Sequence, residues 1–145
     1  HLRVRREDLA FSTKLIDGRF PDYEAVIPLG ADKEVRVQRD ELRSSLQRAV
    51  ILSNEKYRGV RFEFDPGVMR VVAHNPEQEE AVEEIEAKTQ IAALSIGFNA
   101  SYVLDALGAL SGDEVLLMLR DAGSSVLLRE VDHSLVRHVV MPMRL

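Results

Sequence analysis

The chain has 145 residues, no cysteine, 46% hydrophobic and 30% charged residues, and a formal net charge of −5. These values suit one folded domain with a sizeable core, and they exclude a disordered chain, a disulfide framework and a thiolate metal site. The acidic balance also excludes a protein that grips nucleic acid by bulk positive charge, because neutralising phosphates supplies most of such affinity.

In chain order, "HLRVRRE" and "LAFSTKL" alternate apolar and polar residues across a break at Asp8, which predicts a hairpin. "IDGRFPDYEAVIPLG" follows, with Gly18, Pro21, Pro28 and Gly30, and reads as an extended connector with a domain boundary near Tyr23. "KEVRVQ" is a predicted strand. "RDELRSSLQRAVILS" places Leu42, Leu46, Ala49 and Val50 on one stripe of an amphipathic helix, with Asp40 and Glu41 near its positive end. Strands are predicted in "VRFEF", "VMRVVAHN" and "EEAVEEIEA", the first two joined by a "DPG" turn. The order then repeats. "IAALSIGF" is a strand and "NASYVLDALGALS" a helix capped by Asn99 or Ser101, with Gly112 as its stop. "EVLLMLR", "SVLLREV" and "VRHVVMPM" complete the set.

The expectation is therefore an α+β domain of two β-α-β-β-β repeats joined edge to edge, with sheet on one side and both helices on the other. The chain opens in strand-like alternation without an initiator Met, and so reads as part of a longer protein. No apolar run approaches the roughly 18 residues of a membrane span. Missing cysteine fits a reducing, cytoplasmic setting.

Candidate chemistry is sparse. Asp132, His133 and Ser134 are consecutive, whereas a catalytic triad needs side chains that converge from separate positions. His74 with Glu77 and Glu79 lacks the further ligand of a metal site. No phosphate-binding or dinucleotide glycine pattern is present. The reading is a non-enzyme without cofactor or metal. The run "EQEEAVEEIEA" is either a charge-protected edge strand or an acidic edge for a basic partner. Ile51 and Leu52 carry the apolar stripe of their helix beyond one core-facing side, either to pack under the next loop or to serve an interface. Arg39, Arg43 and Arg48 lie on the same helix, by default as a solvated face. The terminal "HVVMPMRL" is apolar where tails are usually polar, so it is either core or contact surface.

The strings "LIDGRFPDY", "ILSNEKYRGVR", "NPEQEEA", "IGFNASYVLDAL" and "VVMPMRL" together resemble the bacterial DNA sliding clamp, the beta subunit of replicative DNA polymerase III. The resemblance spans nearly the whole chain. It implies that residues 1–23 are the end of the second clamp domain plus a connector, and residues 24–145 the third domain. It implies a DNA clamp fold, with sheets outside and the two helices on the inner face of a homodimeric ring around duplex DNA. Such a ring is a non-catalytic processivity factor in the cytoplasm. Polymerases, clamp loader and repair proteins dock on it through short linear peptides. Carried over by position, the peptide pocket draws on Pro21, Val26, Tyr57, Asn99, Tyr102, Ser125, Val139, Val140, Met141, Pro142, Met143 and Arg144. Arg39, Arg43 and Arg48 become DNA-facing, and Ile51, Leu52, Glu77 and Glu79 belong to the dimer interface. Without a first domain the chain itself is expected to be monomeric. Two positions depart from the family pattern: Ala25 replaces a rim arginine, and Gly123 a branched apolar residue. Burying about 350 Å² of apolar surface at ~25 cal/mol/Å², less at least ~4 kcal/mol of lost freedom, leaves a Kd of about 10⁻⁴ M or weaker for a peptide. Flexible methionines suit such exchangeable binding. The alternative is a peptide-binding domain without a DNA role.

Overall fold

The structure, a computed structural model, describes residues 1–53, 58–132 and 135–145. A hairpin opens the chain, β1 (Leu2–Arg6) against β2 (Leu9–Thr13), and is followed by a short helix α1 (Tyr23–Val26). Then come β3 (Lys33–Gln38), α2 (Arg39–Leu52), β4 (Gly59–Asp65), β5 (Val68–His74) and β6 (Glu80–Glu86). The second unit runs β7 (Leu94–Asn99), α3 (Ala100–Ala109), β8 (Glu114–Leu119), β9 (Val126–Glu130) and β10 (Arg137–Val140).

The two β-α-β-β-β units are present, but they exchange their opening strands. The sheets are ordered β10-β9-β8-β3 and β6-β5-β4-β7, all antiparallel, so each three-stranded meander is completed by the first strand of the other unit. The edge-to-edge joints then repeat. Arg36 bridges to Lys88 just beyond β6, and Gly97 bridges to Met143 just beyond β10. Arg36 and Gly97 each stand fourth in a six-residue strand, so the repeat extends to the register of its joints.

Period-two alternation explains the core face. In β4, Val60, Phe62 and Phe64 point inward while Arg61, Glu63 and Asp65 stay at the surface. Phe62 packs on Phe98 at 5.2 Å between ring centroids and edge-on to Phe64 at 6.4 Å. Leu42, Leu46 and Ala49 of α2, and Val103, Ala106 and Leu107 of α3, close over these rings in one cluster. Ser45 is buried in the same stripe, and Val50 packs at its margin. α2 lies against β5 and β6, α3 against β7 and β10, and the two helices touch.

Local departures from expectation have local causes. α1 interrupts the predicted extended connector because the Asp22 side chain accepts from the Glu24 N–H at 3.0 Å and caps one turn. α3 ends at Ala109, before Gly112, with its Leu110 carbonyl taken by Arg39 Nη1 at 2.6 Å. Glu77 and Glu79 belong to the turn preceding β6, where Asn75 Oδ1 accepts from the Glu79 N–H at 2.8 Å.

Candidate peptide-binding notch

α1 and β10 face each other across an apolar notch of about 360 Å³ lined by Tyr23, Val26, Ile27, Leu135, Arg137 and Val139. Two of the predicted pocket residues, Val26 and Val139, meet there, and Pro21 is exposed just upstream of the capped turn. Strand alternation divides the neighbouring pair. Val139 faces the notch, whereas Val140 is 5% exposed and belongs to the core.

A second patch forms around the tail. The Met143 N–H donates to the Gly97 carbonyl at 2.8 Å, which lays the last residues beside β7. Gly59 and Gly97 make room for it: a Cβ on Gly97 would collide with the Met143 carbonyl, and one on Gly59 with the Leu145 side chain. Asn99 pairs in register with Gly59 and caps α3 by accepting from the Ser101 N–H at 2.9 Å. Tyr102 stands 62% exposed in the first turn of that helix. Met141, 67% exposed, and half-buried Pro142 connect this patch to the notch along the chain, and Arg144 is exposed. Ser125 is half-buried immediately before β9. Tyr57 lies outside the described residues, as do His133 and Ser134.

Sequence reasoning did not pick out Tyr23, Ile27, Leu135 and Arg137 as lining residues. For Leu135 and Arg137 a signal existed: they precede Val139 at steps of two, the spacing of one strand face. Leu145 was also missed, because its seat depends on two glycines far away in sequence.

The three arginines of α2 differ. Arg39 is engaged by the Leu110 carbonyl and by Asp40 at 3.0 Å. Arg48 reaches across to Glu83 of β6 at 2.5 Å, and this hydrogen bond holds the Glu83 carboxyl below its ordinary value. Arg43 is exposed and has no ion pair among the described residues. Ile51 is 85% exposed and Leu52 half-buried at the same helix end. β6 is a sheet edge, yet several of its acids are matched within the domain: Glu80 by His74 at 3.0 Å, Glu84 by Arg70 at 2.9 Å, and Glu83 by Arg48. His74 therefore meets Glu80 instead of Glu77 and Glu79, and no group among the described residues could hold a metal ion.

A larger cavity of about 1090 Å³ lies where the two sheets join, between Asp32–Glu34, the 87–94 connector and Arg120. Its cations are already occupied, Lys33 by Asp32 and the Arg120 carbonyl, Lys88 by Glu114, and Arg120 by Asp121. The smaller notch, with its exposed apolar walls and adjoining tail, is the better candidate for a ligand.

A family model described as the DNA polymerase III beta subunit, C-terminal domain, matches residues 24–144. The beta sliding clamp of Pseudomonas aeruginosa is 48% identical and that of Escherichia coli 46% identical, each over 100% of this chain and 40% of the relative. The chain thus spans about two fifths of the length of these relatives. Among solved structures, a Pseudomonas aeruginosa clamp bound to griselimycin superposes with a TM-score of 0.86 at 48% identity, over 99% of this chain and 39% of that one. The beta subunit of Thermotoga maritima gives 0.83 at 35% identity, over 89% and 35%. The fold is the DNA clamp fold, and the chain belongs to the DNA polymerase III beta subunit family, whose C-terminal domain it carries.

Proposed function

We propose that this chain is part of a non-catalytic processivity clamp, a homodimeric ring that encircles duplex DNA in the cytoplasm and tethers polymerase to it. Residues 1–23 close the preceding domain and connect to the domain of residues 24–145. The notch and tail receive short linear peptides of polymerases, clamp loader and repair proteins. Pro21, Val26, Tyr57, Asn99, Tyr102, Ser125, Val139, Met141, Pro142, Met143 and Arg144 contribute directly, and Val140 anchors the strand beneath them. The observation that carries this reading is the apolar notch between α1 and β10, with the exposed Met141 beside it.

Arg43 is the best placed of the three arginines to meet DNA, since Arg39 and Arg48 spend their charge within the domain. A topological tether needs few such contacts, which reconciles a net charge of −5 with a DNA role. Ile51 and Leu52 at the end of α2, with Glu77 and Glu79 just before the edge strand β6, form the dimer interface, and an incoming strand of a second subunit completes the sheet there. Alone, the chain is a monomer. The deciding experiment places these residues in the longer protein and loads it on nicked circular DNA. Release on linearisation of the circle supports a ring, and retention on linear DNA or failure to load refutes it.

A further inference from the structure

The antiparallel register sets Arg137 of β10 directly opposite Arg129 of β9. Residues paired in this way share one face of the sheet, and like charges so placed repel. Elsewhere in the domain Arg48, Arg70 and Lys88 each meet a carboxylate, although Arg43 does not among the described residues. At this pair no carboxylate partner is found among the described residues. Arg129 Nη1 donates only to the Glu130 carbonyl at 3.2 Å, and Arg137 has no hydrogen bond or ion pair among the described residues. Arg137 is also a wall of the notch, two residues from Val139 on the same strand face. The apolar notch therefore opens onto two neighbouring guanidinium groups that meet no counter-charge among the described residues.

We propose that the notch and the Arg129–Arg137 pair form one composite site whose ligand is an acidic linear peptide. Apolar anchors fill the space between Val26 and Val139, and an aspartate or glutamate beside those anchors is held by the two guanidinium groups. This rests on the peptide-binding reading above and narrows it to sequences carrying a carboxylate. The planar forks of arginine match a carboxylate in two-point fashion, which a lysine pair would not. Nucleic acid is the other polyanion to consider. Two cations against an apolar wall are too short a strip to track a phosphate backbone, and the lining offers one aromatic ring, Tyr23, where strand binding stacks successive bases on several. A peptide fits better.

The test titrates the protein with two synthetic peptides that share leucine and phenylalanine anchors, one flanked by Asp and Glu, the other by Asn and Gln. A short DNA duplex serves as a third probe. The acidic peptide is expected to bind about tenfold tighter at low salt, and the ratio of the two affinities should fall toward one as exposed charges are screened. In Arg137→Gln and Arg129→Gln that ratio should collapse to under about twofold, and in Arg137→Glu it should invert. Both positions tolerate loss of charge, so melting temperatures should hold or rise as repulsion is relieved. Equal binding of the two peptides by the unaltered protein overturns the charge inference and leaves the pocket standing. No binding of either peptide removes the pocket and this inference with it. Persistence of the acidic preference in both Gln variants also overturns the proposal. Loss of duplex binding in those variants, with the peptide ratio unchanged, reassigns the pair to nucleic acid and overturns it equally.

Discussion

The Gly97 carbonyl accepts the Met143 N–H at 2.8 Å, and Gly97 is the one residue type that leaves room for this approach, since a Cβ there would strike the Met143 carbonyl. Gly97→Ala must therefore displace backbone. Gly59→Ala meets only the far end of Leu145, a flexible side chain that can turn aside. The expected contrast is a loss of about 1–2 kcal/mol of stability, with peptide affinity reduced about tenfold or more, for Gly97→Ala. Gly59→Ala should change either quantity by less than about 0.5 kcal/mol. Thermal melts and calorimetric titration of the two variants, side by side, check this. Equal behaviour would mean that the joint does not set the tail.

Truncation tests the tail itself, and the fold dictates where to cut. Removing everything after His138 would delete Val140 from the core and one strand from its sheet. Cutting after Val140 instead spares the core and removes Met141 through Leu145, whose ends are largely exposed. Stability should fall by no more than about 1–2 kcal/mol, from the lost Gly97 hydrogen bond and partial burial of Met143. Peptide binding should become undetectable at millimolar concentration. A truncated chain that binds as before removes the tail from the site.

Arg39 and Arg43 sit one turn apart on α2 with opposite expected roles. Arg39 closes the C-terminal end of α3 through the Leu110 carbonyl, across 71 residues of sequence, from a largely buried position. Arg39→Ala leaves that carbonyl unsatisfied and should cost about 1–3 kcal/mol in a denaturant titration. Arg43→Ala should leave the denaturation midpoint in place, because the side chain is exposed and has no ion pair among the described residues. In the loaded ring, Arg43→Ala should lower the salt sensitivity of DNA contact. A stability loss at Arg43 matching that at Arg39 would contradict the assignment.

The pattern of residues made most of the element order legible, because alternation in β4 and the Leu42, Leu46, Ala49 stripe are local properties. Strand exchange between the units was not, since element order says nothing about which edge an opening strand will join. α1 escaped notice because a single capped turn shows no helical period. The helix end at Ala109 depends on Arg39, and the seat of Leu145 on Gly59 and Gly97; neither is visible to a reading that moves along the chain. The acidic run read as one charged strip, but pairing in three dimensions divides it. Glu80, Glu83 and Glu84 are matched internally, while Glu77 and Glu79 fall in a turn. The notch was partly legible. Val26 and Val139 came through the resemblance, while Tyr23, Ile27, Leu135 and Arg137 needed the facing of α1 and β10.

The β8–β9 turn places Ser125 through Asp121, and that carboxylate gives a pH prediction. Arg120 Nε donates to it at 2.9 Å, the Ser124 hydroxyl and the Gly123 N–H each at 2.9 Å, and together they lower its pKa from the ordinary 3.8 to about 2. The folded form is thus the weaker proton binder. Its contribution to stability is complete above the unfolded value near 3.8 and disappears as pH falls through about 2. The carboxylates of Glu83 and Glu114 are also lowered, by Arg48 and Lys88, so the domain as a whole should lose stability toward acid. Comparison with Asp121→Asn isolates this one group, because an amide of the same shape does not titrate. Melting temperatures measured from pH 5 down to pH 2 should converge: the variant starts lower, and the gap closes below about pH 4 as Asp121 takes up its proton. Curves that stay parallel over this range would show that the charge at Asp121 does not hold the turn. Ser125 would then be positioned by the strands alone.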